Sequence, residues 1–246
     1  MRAVHELRVK LFADGADLAG IAELARNPLI KGFTTNPTLM RKAGVRDYQP
    51  FAEELLRIVP DRPVSFEVFS DDFAEMERQA GQIASWGPNV YVKIPVMNTQ
   101  GHSSGALIRR LSSAGIQLNV TALMTTGQVA EVVNCLSSDT SHFISVFAGR
   151  IADTGRDPVP IMAEAVRILR ARPKTELIWA SPRELLNIVQ ADAVGCHVIT
   201  ATGDVLAKLS LIGKDLFTFS LETVQMFRQD ALKAGFALEL PQPSTI

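Results

Sequence analysis

Eight short apolar, β-rich runs alternate with helical stretches along this chain, at residues 7–12, 32–34, 64–68, 90–94, 117–120, 142–147, 176–179 and 197–200. No other feature limits the fold as much. Most runs are nearly continuous in apolar residues, the pattern of a strand covered on both faces. Helical stretches fall between them at 18–26, 48–59, 73–86, 103–114, 126–136, 158–171, 182–190 and 205–210. Ser70-Asp71-Asp72 offers a solvated N-cap for the third of these, with acidic residues at its start, and Gly115 suits a C-cap. A last stretch, 215–235, places Phe219, Val224, Phe227 and Leu232 at helix-like spacing.

Strands that are each followed by a helix pair in parallel through right-handed crossovers. Eight of them predict a closed (β/α)8 barrel, with a doubly wound open sheet as the alternative. The length of 246 residues suits one barrel of about 250 residues, and two small domains would also fit it. No linker, repeat or low-complexity segment divides the chain. One domain over 1–246 with an extra C-terminal helix is therefore expected.

Composition narrows the partners. Lys and Arg number 25 against 26 Asp and Glu, for a formal charge of -1. Such a chain has no basic field for nucleic acid or anionic lipid, although a few placed arginines can still hold a small anion. The start of the chain is charged throughout, unlike a signal peptide, and no apolar run approaches the roughly 20 residues of a membrane helix. A soluble, cytoplasmic protein is expected. Cys135 and Cys196 stand apart in apolar stretches and read as buried free thiols. His5, His102, His142 and His197 lack metal-ligand spacing, and no phosphate-loop or dinucleotide motif occurs. Neither a metal nor a cofactor is expected. Gly203-Asp204 before a helix reads as a turn and cap, or as an anion-binding helix start.

Polar residues mark the strand ends. Asp14 follows the first run, Thr34-Thr35-Asn36 the second, and Glu67 lies inside the third between Phe66 and Val68. Lys93 lies within Val90-Tyr91-Val92-Lys93-Ile94-Pro95-Val96. Asn119 and Thr121 come from the fifth run, Ser145, Phe147 and Arg150 from the sixth, and Ser181 and Arg183 follow the seventh. In a barrel these ends converge on the face that carries active sites. Lysine is rarely buried, and an ammonium taken out of water gives up its proton more readily. Only the neutral amine attacks a carbonyl, so a mid-strand lysine suits Schiff-base catalysis. A structural lysine paired with Glu67 or Asp14 fits the same position.

Several segments, in identity and order, resemble transaldolases. They are Phe12-Ala13-Asp14-Gly15, Gly32-Phe33-Thr34-Thr35-Asn36-Pro37-Thr38, Ser65-Phe66-Glu67-Val68, Val92-Lys93-Ile94-Pro95, Leu118-Asn119-Val120-Thr121 and Ser145-Val146-Phe147-Ala148-Gly149-Arg150-Ile151. The resemblance runs from Phe12 to near the chain end, and the length matches the short branch of the family, which includes fructose-6-phosphate aldolases. It implies that Lys93 is the Schiff-base nucleophile and Asp14 the acid/base of carbon–carbon cleavage. Glu67 and Thr121 would position a water and move protons. Asn36 and Asn119 would hold the dihydroxyacetone unit in a pocket lined by Thr34 and Ser145. Arg150, Ser181 and Arg183 would bind phosphate, where charge-assisted hydrogen bonds favour arginine.

The implied partners are small sugar phosphates within pentose phosphate carbohydrate metabolism. Glu67 and Phe147 stand where the aldolase branch tends to have Gln and Tyr, which points to the transaldolase branch. Pro182 departs from the family pattern; it fits the first position of a helix and leaves room for a sugar with another anion, such as a sulfonate. The segment 155–158 carries over no residue. The expected assembly is a homo-oligomer. Phe217, Phe219 and Phe227 could form its interface, cover the site, or pack on the barrel.

Overall fold

The computed structural model describes residues 4–238. Eight parallel strands close into a barrel in the order β1-β2-β3-β4-β5-β6-β7-β8. They are β1 (Lys10–Asp14), β2 (Ile30–Thr34), β3 (Val64–Glu67), β4 (Val90–Pro95), β5 (Leu118–Leu123), β6 (His142–Val146), β7 (Thr175–Trp179) and β8 (Val198–Ala201). The helices between them include α1 (Leu18–Ala25), α2 (Pro37–Lys42), α3 (Tyr48–Ile58), α4 (Phe73–Ala84), α5 (Gly105–Ser113) and α6 (Thr126–Cys135). There follow α7 (Ala148–Ala152), α8 (Val159–Leu169), α9 (Leu186–Ala193), α10 (Gly203–Leu206) and α11 (Leu216–Ala234). The closed barrel holds, and the open sheet does not.

The first strand starts three residues later than the apolar run suggests. Residues 8 and 9 give their main-chain N–H groups to Asp192 Oδ1, at 2.6 and 3.1 Å, and so dock on α9. Pairing with β8 begins at Lys10, whose N–H donates to His197 O at 2.9 Å. The strand then runs on to Asp14, opposite Thr34. Two short helices escape the periodicity, α2 and α7, because each holds less than two full turns. Asn36 caps α2 by accepting from Leu39 N at 3.0 Å, with Pro37 at its first position.

Side chains pointing into the barrel change character along its axis. At the base, Lys10 and Glu176 form an ion pair at 2.6 Å. Above it sits an apolar plug of Phe12, Tyr91, Phe143, Ile178 and Val198. Phe12 meets Phe143 edge-on at 5.5 Å, an arrangement favoured by the ring quadrupoles. Gly32 makes room for it, since a Cβ there would lie 2.5 Å from the Phe12 ring. The outward faces, including Phe33, Phe66, Val92, Ile94, Leu118 and Trp179, form the main core against the helices. Two covered faces explain the continuous apolar runs. Cys135 and Cys196 are buried free thiols.

One reading of the C-terminal aromatics is overturned. None of the α11 side chains is buried, and Phe217 and Phe227 are 79% and 63% exposed. The helix is well capped, by Asp215 at its start and Gly235 at φ 67° at its end. It does not pack its aromatics on its own barrel.

His142 ties β5 and β6 to α5. Its Nδ1 accepts from Leu118 N at 3.2 Å, so the ring is neutral and its Nε2 donates to Ser112 Oγ at 3.0 Å. Burial lowers its pKa from 6.5 to about 4. The unfolded chain therefore takes up a proton near pH 6.5 that the folded chain refuses. Stability from this group is complete above pH 6.5 and is lost as pH falls toward 4. The loss should reach roughly 2 kcal/mol by pH 5. Imidazole NMR should find His142 still neutral at pH 5; a midpoint near 6.5 would refute this account.

Candidate active site

The C-terminal ends of the strands open onto a cavity of about 480 Å³. Every residue to which the resemblance gives a place in the site lines it: Asp14, Thr34, Asn36, Glu67, Lys93, Asn119, Thr121, Ser145, Phe147, Arg150, Ser181 and Arg183. Lys42, Thr38 and Thr200 line it as well. The sequence reading assigned them no role, because Thr38 and Lys42 belong to the short helix α2, and Thr200 reads as an ordinary β-former.

Lys93 is 6% exposed and sits at the centre of this floor. Its register opposite Glu67 on β3 and Asn119 on β5 fixes its direction. The Nζ lies 2.9 Å from Glu67 Oε2 and donates to Thr35 O at 2.8 Å. The amine thus has two acceptors, as a buried cation requires. Thr121 Oγ1, from the next strand, is buried with no hydrogen-bond partner among the described residues. It faces a space where a polar atom is wanted.

Asp14 is held from the other side. Thr34 Oγ1 donates to its Oδ1 at 2.7 Å and lies 2.5 Å from Thr200 Oγ1. Thr34 has a single proton, so Thr200 is the donor in the second bond. Burial raises the Asp14 pKa; the Lys93 charge and the Thr34 bond oppose it, and Glu67 adds a smaller upward push. A raised carboxylate is a stronger proton acceptor than a solvated one.

Asn119 and Ser145 form a second chain. Asn119 Nδ2 donates to Ser65 Oγ at 3.0 Å, and Ser145 Oγ donates to Asn119 Oδ1 at 2.7 Å. These bonds orient the amide and leave it one N–H and one lone pair. Asn36 already spends its Oδ1 on the α2 cap, which turns its Nδ2 into the remaining donor.

The rim over β6 and β7 is cationic. Arg183 Nη1 donates to Ser181 O and Oγ at 3.1 and 2.9 Å, and its Nε donates to Asp153 Oδ1 at 2.9 Å. A second bond joins Arg183 Nη2 to Asp153 Oδ2. Asp153 was not singled out from the sequence; its place one turn after Arg150 on α7 was the available signal. Hydrogen bonding to Arg183 lowers the Asp153 pKa. Pro182 does not begin a helix, since α9 starts at Leu186. The loop is held instead by Asn187 Oδ1, which accepts from Arg183 N at 2.7 Å and Glu184 N at 3.2 Å.

Backbone strain concentrates here. Among the described residues the non-glycine positions with positive φ are Ala122 at 66° and Ser181 at 61°, and both line the cavity. Each costs on the order of 1–3 kcal/mol and persists only where surroundings enforce it. Ala122 lies at an irregularity in the β5–β6 pairing, which re-aims the strand end that carries Thr121.

A sequence model described as Transaldolase/Fructose-6-phosphate aldolase matches residues 11–240. The chain belongs to that family. It is 36% identical over 215 residues to a probable transaldolase of Streptococcus agalactiae, covering 86% of this chain and 95% of the relative. A probable transaldolase of Thermoanaerobacter sp. is 33% identical over 231 residues, covering 94% of this chain and 100% of the relative. Among solved structures, KGPDC from Streptococcus mutans superposes with a TM-score of 0.55 at 11% identity, over 80% of this chain and 88% of that one. A 2,3-dimethylmalate lyase gives 0.53 at 13% identity, over 99% and 89%. These two share the barrel fold alone. Transaldolase/fructose-6-phosphate aldolase proteins are enzymes, and this barrel end is the candidate active site. No helix among the described residues is long and apolar enough to cross a membrane.

Gly149 sets the width of the cationic rim. A Cβ there would lie 1.6 Å from Ser181 O, a main-chain atom. Gly149→Ala should destabilise the chain by about 1–3 kcal/mol in urea unfolding. A change within about 0.5 kcal/mol would mean that the Ser181 loop moves aside freely.

Proposed function

We propose that this enzyme is a transaldolase that moves a dihydroxyacetone unit from a ketose phosphate to an aldose phosphate through an imine on Lys93. The observation that carries the reading is the Lys93 amine. It is buried, 2.9 Å from a carboxylate, yet it lines an open polar cavity whose rim bears Arg150 and Arg183. A purely structural ion pair has no need of that opening.

In this reading Lys93 gives up a proton, with Glu67 as the near acceptor, and Nζ attacks the ketone carbon. Water leaves as the imine forms, and Glu67 and Thr121 carry the protons of that step. Asp14 then takes the proton of the hydroxyl on the carbon to be released. The carbon–carbon bond breaks, an aldose phosphate departs, and the electron pair is stored as an enamine on Lys93. The enamine carbon attacks the acceptor aldehyde, Asp14 returns its proton, and water hydrolyses the new imine. Asn36 and the spare N–H of Asn119 suit the hydroxyls of the three-carbon unit, with Thr34 and Ser145 beside them. Arg150, Arg183 and Ser181 suit the phosphate of donor and acceptor in turn.

The fructose-6-phosphate aldolase reaction differs in releasing free dihydroxyacetone. Phe147 lines the cavity without a hydroxyl that could deliver a proton to the enamine, which favours transfer. A coupled assay with fructose 6-phosphate should show turnover only when erythrose 4-phosphate is added, and borohydride should trap a mass adduct on Lys93. Turnover without the acceptor would move the chain to the aldolase reaction. Absence of an adduct with a range of ketose phosphates would sink the imine.

The assembly reading is a homo-oligomer that covers α11. Large apolar side chains exposed along one helix, here Leu216, Phe217, Val224, Phe227 and Leu232, mark an interface, and soluble oligomers are mostly symmetric copies of one chain. Light scattering should give a mass above the 26.8 kDa of one chain, and Phe217→Asp with Phe227→Asp should return it toward one. A native mass of a single chain would contradict the assembly.

A further inference from the structure

Strand β3 loses its neighbour just before Glu67. β2 pairs with β3 only through Phe33 with Val64 and Thr34 with Ser65. The last main-chain bond between the two runs from Thr35 N to Ser65 O at 3.2 Å. The chain then turns at Asn36 and Pro37 into α2. The other edge of β3 stays paired, with Val68 N donating to Lys93 O at 3.1 Å. Alternate residues of a strand present their main-chain groups to opposite edges. The N–H and C=O of Glu67 therefore both face the edge that β2 has left, where unpaired main-chain groups are costly.

A side chain takes the place of the missing strand. Tyr48, at the first position of α3, donates its hydroxyl to Glu67 O at 2.7 Å and accepts from Glu67 N at 2.8 Å. One phenol oxygen thus reproduces the donor and the acceptor of a neighbouring strand residue. Its ring is seated edge-on or tilted against Phe66, Phe69 and Trp86, at centroid distances of 6.4, 5.7 and 5.7 Å. Burial keeps the phenol protonated, with its pKa raised, so it remains a donor across the working pH range.

We propose that Tyr48 is a positioning residue for Glu67: its hydroxyl clamps both main-chain polar groups of that residue and so fixes the carboxylate 2.9 Å from the Lys93 amine. The proposal rests on the reading of Lys93 as nucleophile and Glu67 as its proton-transfer partner. Tyr48 itself touches no reacting atom. Its leverage comes from geometry, because a misplacement of about 1 Å in a catalytic group can cost on the order of 100-fold in rate. The clamp acts at the end of β3, where the strand has no other support on that edge. The anion-binding arginines stand across the barrel on α7 and after β7, out of its reach.

Tyr48→Phe keeps the ring contacts and removes both bonds at once. Amide hydrogen exchange followed by NMR should show the Glu67 N–H losing protection in this variant. In the coupled assay its kcat should fall about tenfold, with KM for the ketose phosphate within about twofold. The same substitution in a Glu67→Gln background should produce no further fall, since the two act as one unit. Retained protection of the Glu67 amide would overturn the clamp. A kcat loss of equal size in both backgrounds, or none in either, would overturn the positioning role. If the native chain traps no borohydride adduct, the nucleophile reading is the one that fails, and amide exchange still decides the clamp.

Discussion

A cation inside a β-barrel is the constraint around which this structure is arranged. Moving an ammonium out of water costs several kcal/mol even after relaxation, and a partner must be supplied with good geometry. Lys93 receives two, the Glu67 carboxylate and the Thr35 carbonyl. Each comes from the position where a strand ends. Thr35 is the first residue past β2, and Glu67 is the last of β3. The Thr35 carbonyl is open to Lys93 because β2 ends early; a longer β2 would give that carbonyl to Glu67 N in its ladder. The early end then creates the gap that Tyr48 fills. The early end of β2 thus frees one carbonyl for the buried amine and leaves the Glu67 main chain to Tyr48.

The axis of the barrel shows how that cost is kept local. The Lys10–Glu176 pair closes the base, and the aromatic plug above it excludes water from below. Hydroxyls and amides come next, Thr34 with Asp14 and Thr200, Asn119 with Ser65 and Ser145, while the Thr121 hydroxyl has no partner among the described residues. Apart from the pair at the base, the ionisable groups gather at the open end. A fully apolar interior would pack better, and replacing buried pairs by hydrophobic residues is often neutral or stabilising. The polarity of this end is therefore better explained by chemistry than by folding.

Most of this was legible in the sequence, for reasons that particular residues make plain. The strands were visible because both faces are buried, which leaves no polar alternation to confuse them. Lys93 stood out because lysine is rare in such a run. The C-terminal helix was visible from the spacing of its apolar residues, yet its relation to the barrel was not: Phe219 and Phe227 follow helical spacing whether they pack at home or face outward. The first strand was misplaced because residues 7–9 are apolar enough for a strand but are tied down by Asp192, 183 and more positions away. Asp153 and Tyr48 each act through a pair of long-range bonds to one residue, and no periodicity encodes those. Pro182 misled for a related reason, since the loop's shape is set by Asn187 and by the absence of a side chain at Gly149.

The two halves of the site differ in how they are built, and the difference fits what the proposed reaction would ask of each. Lys93, Glu67, Asp14 and Thr34 lie on strands, where register fixes position to a fraction of an ångström. Bond making tolerates little error, so rigid elements suit it. Arg150 and Arg183 lie on a short helix and a loop. Phosphate is large, symmetric and doubly charged, and a forked cation holds it over a range of placements. The loop is nonetheless constrained, by the strained Ser181 and by the close approach at Gly149. Asp153 adds the last condition: it neutralises and orients Arg183 in the absence of an anion. Ser181 takes the Nη1 edge as well, so a ligand that engages both forks of Arg183 must displace Asp153 or Ser181 from it.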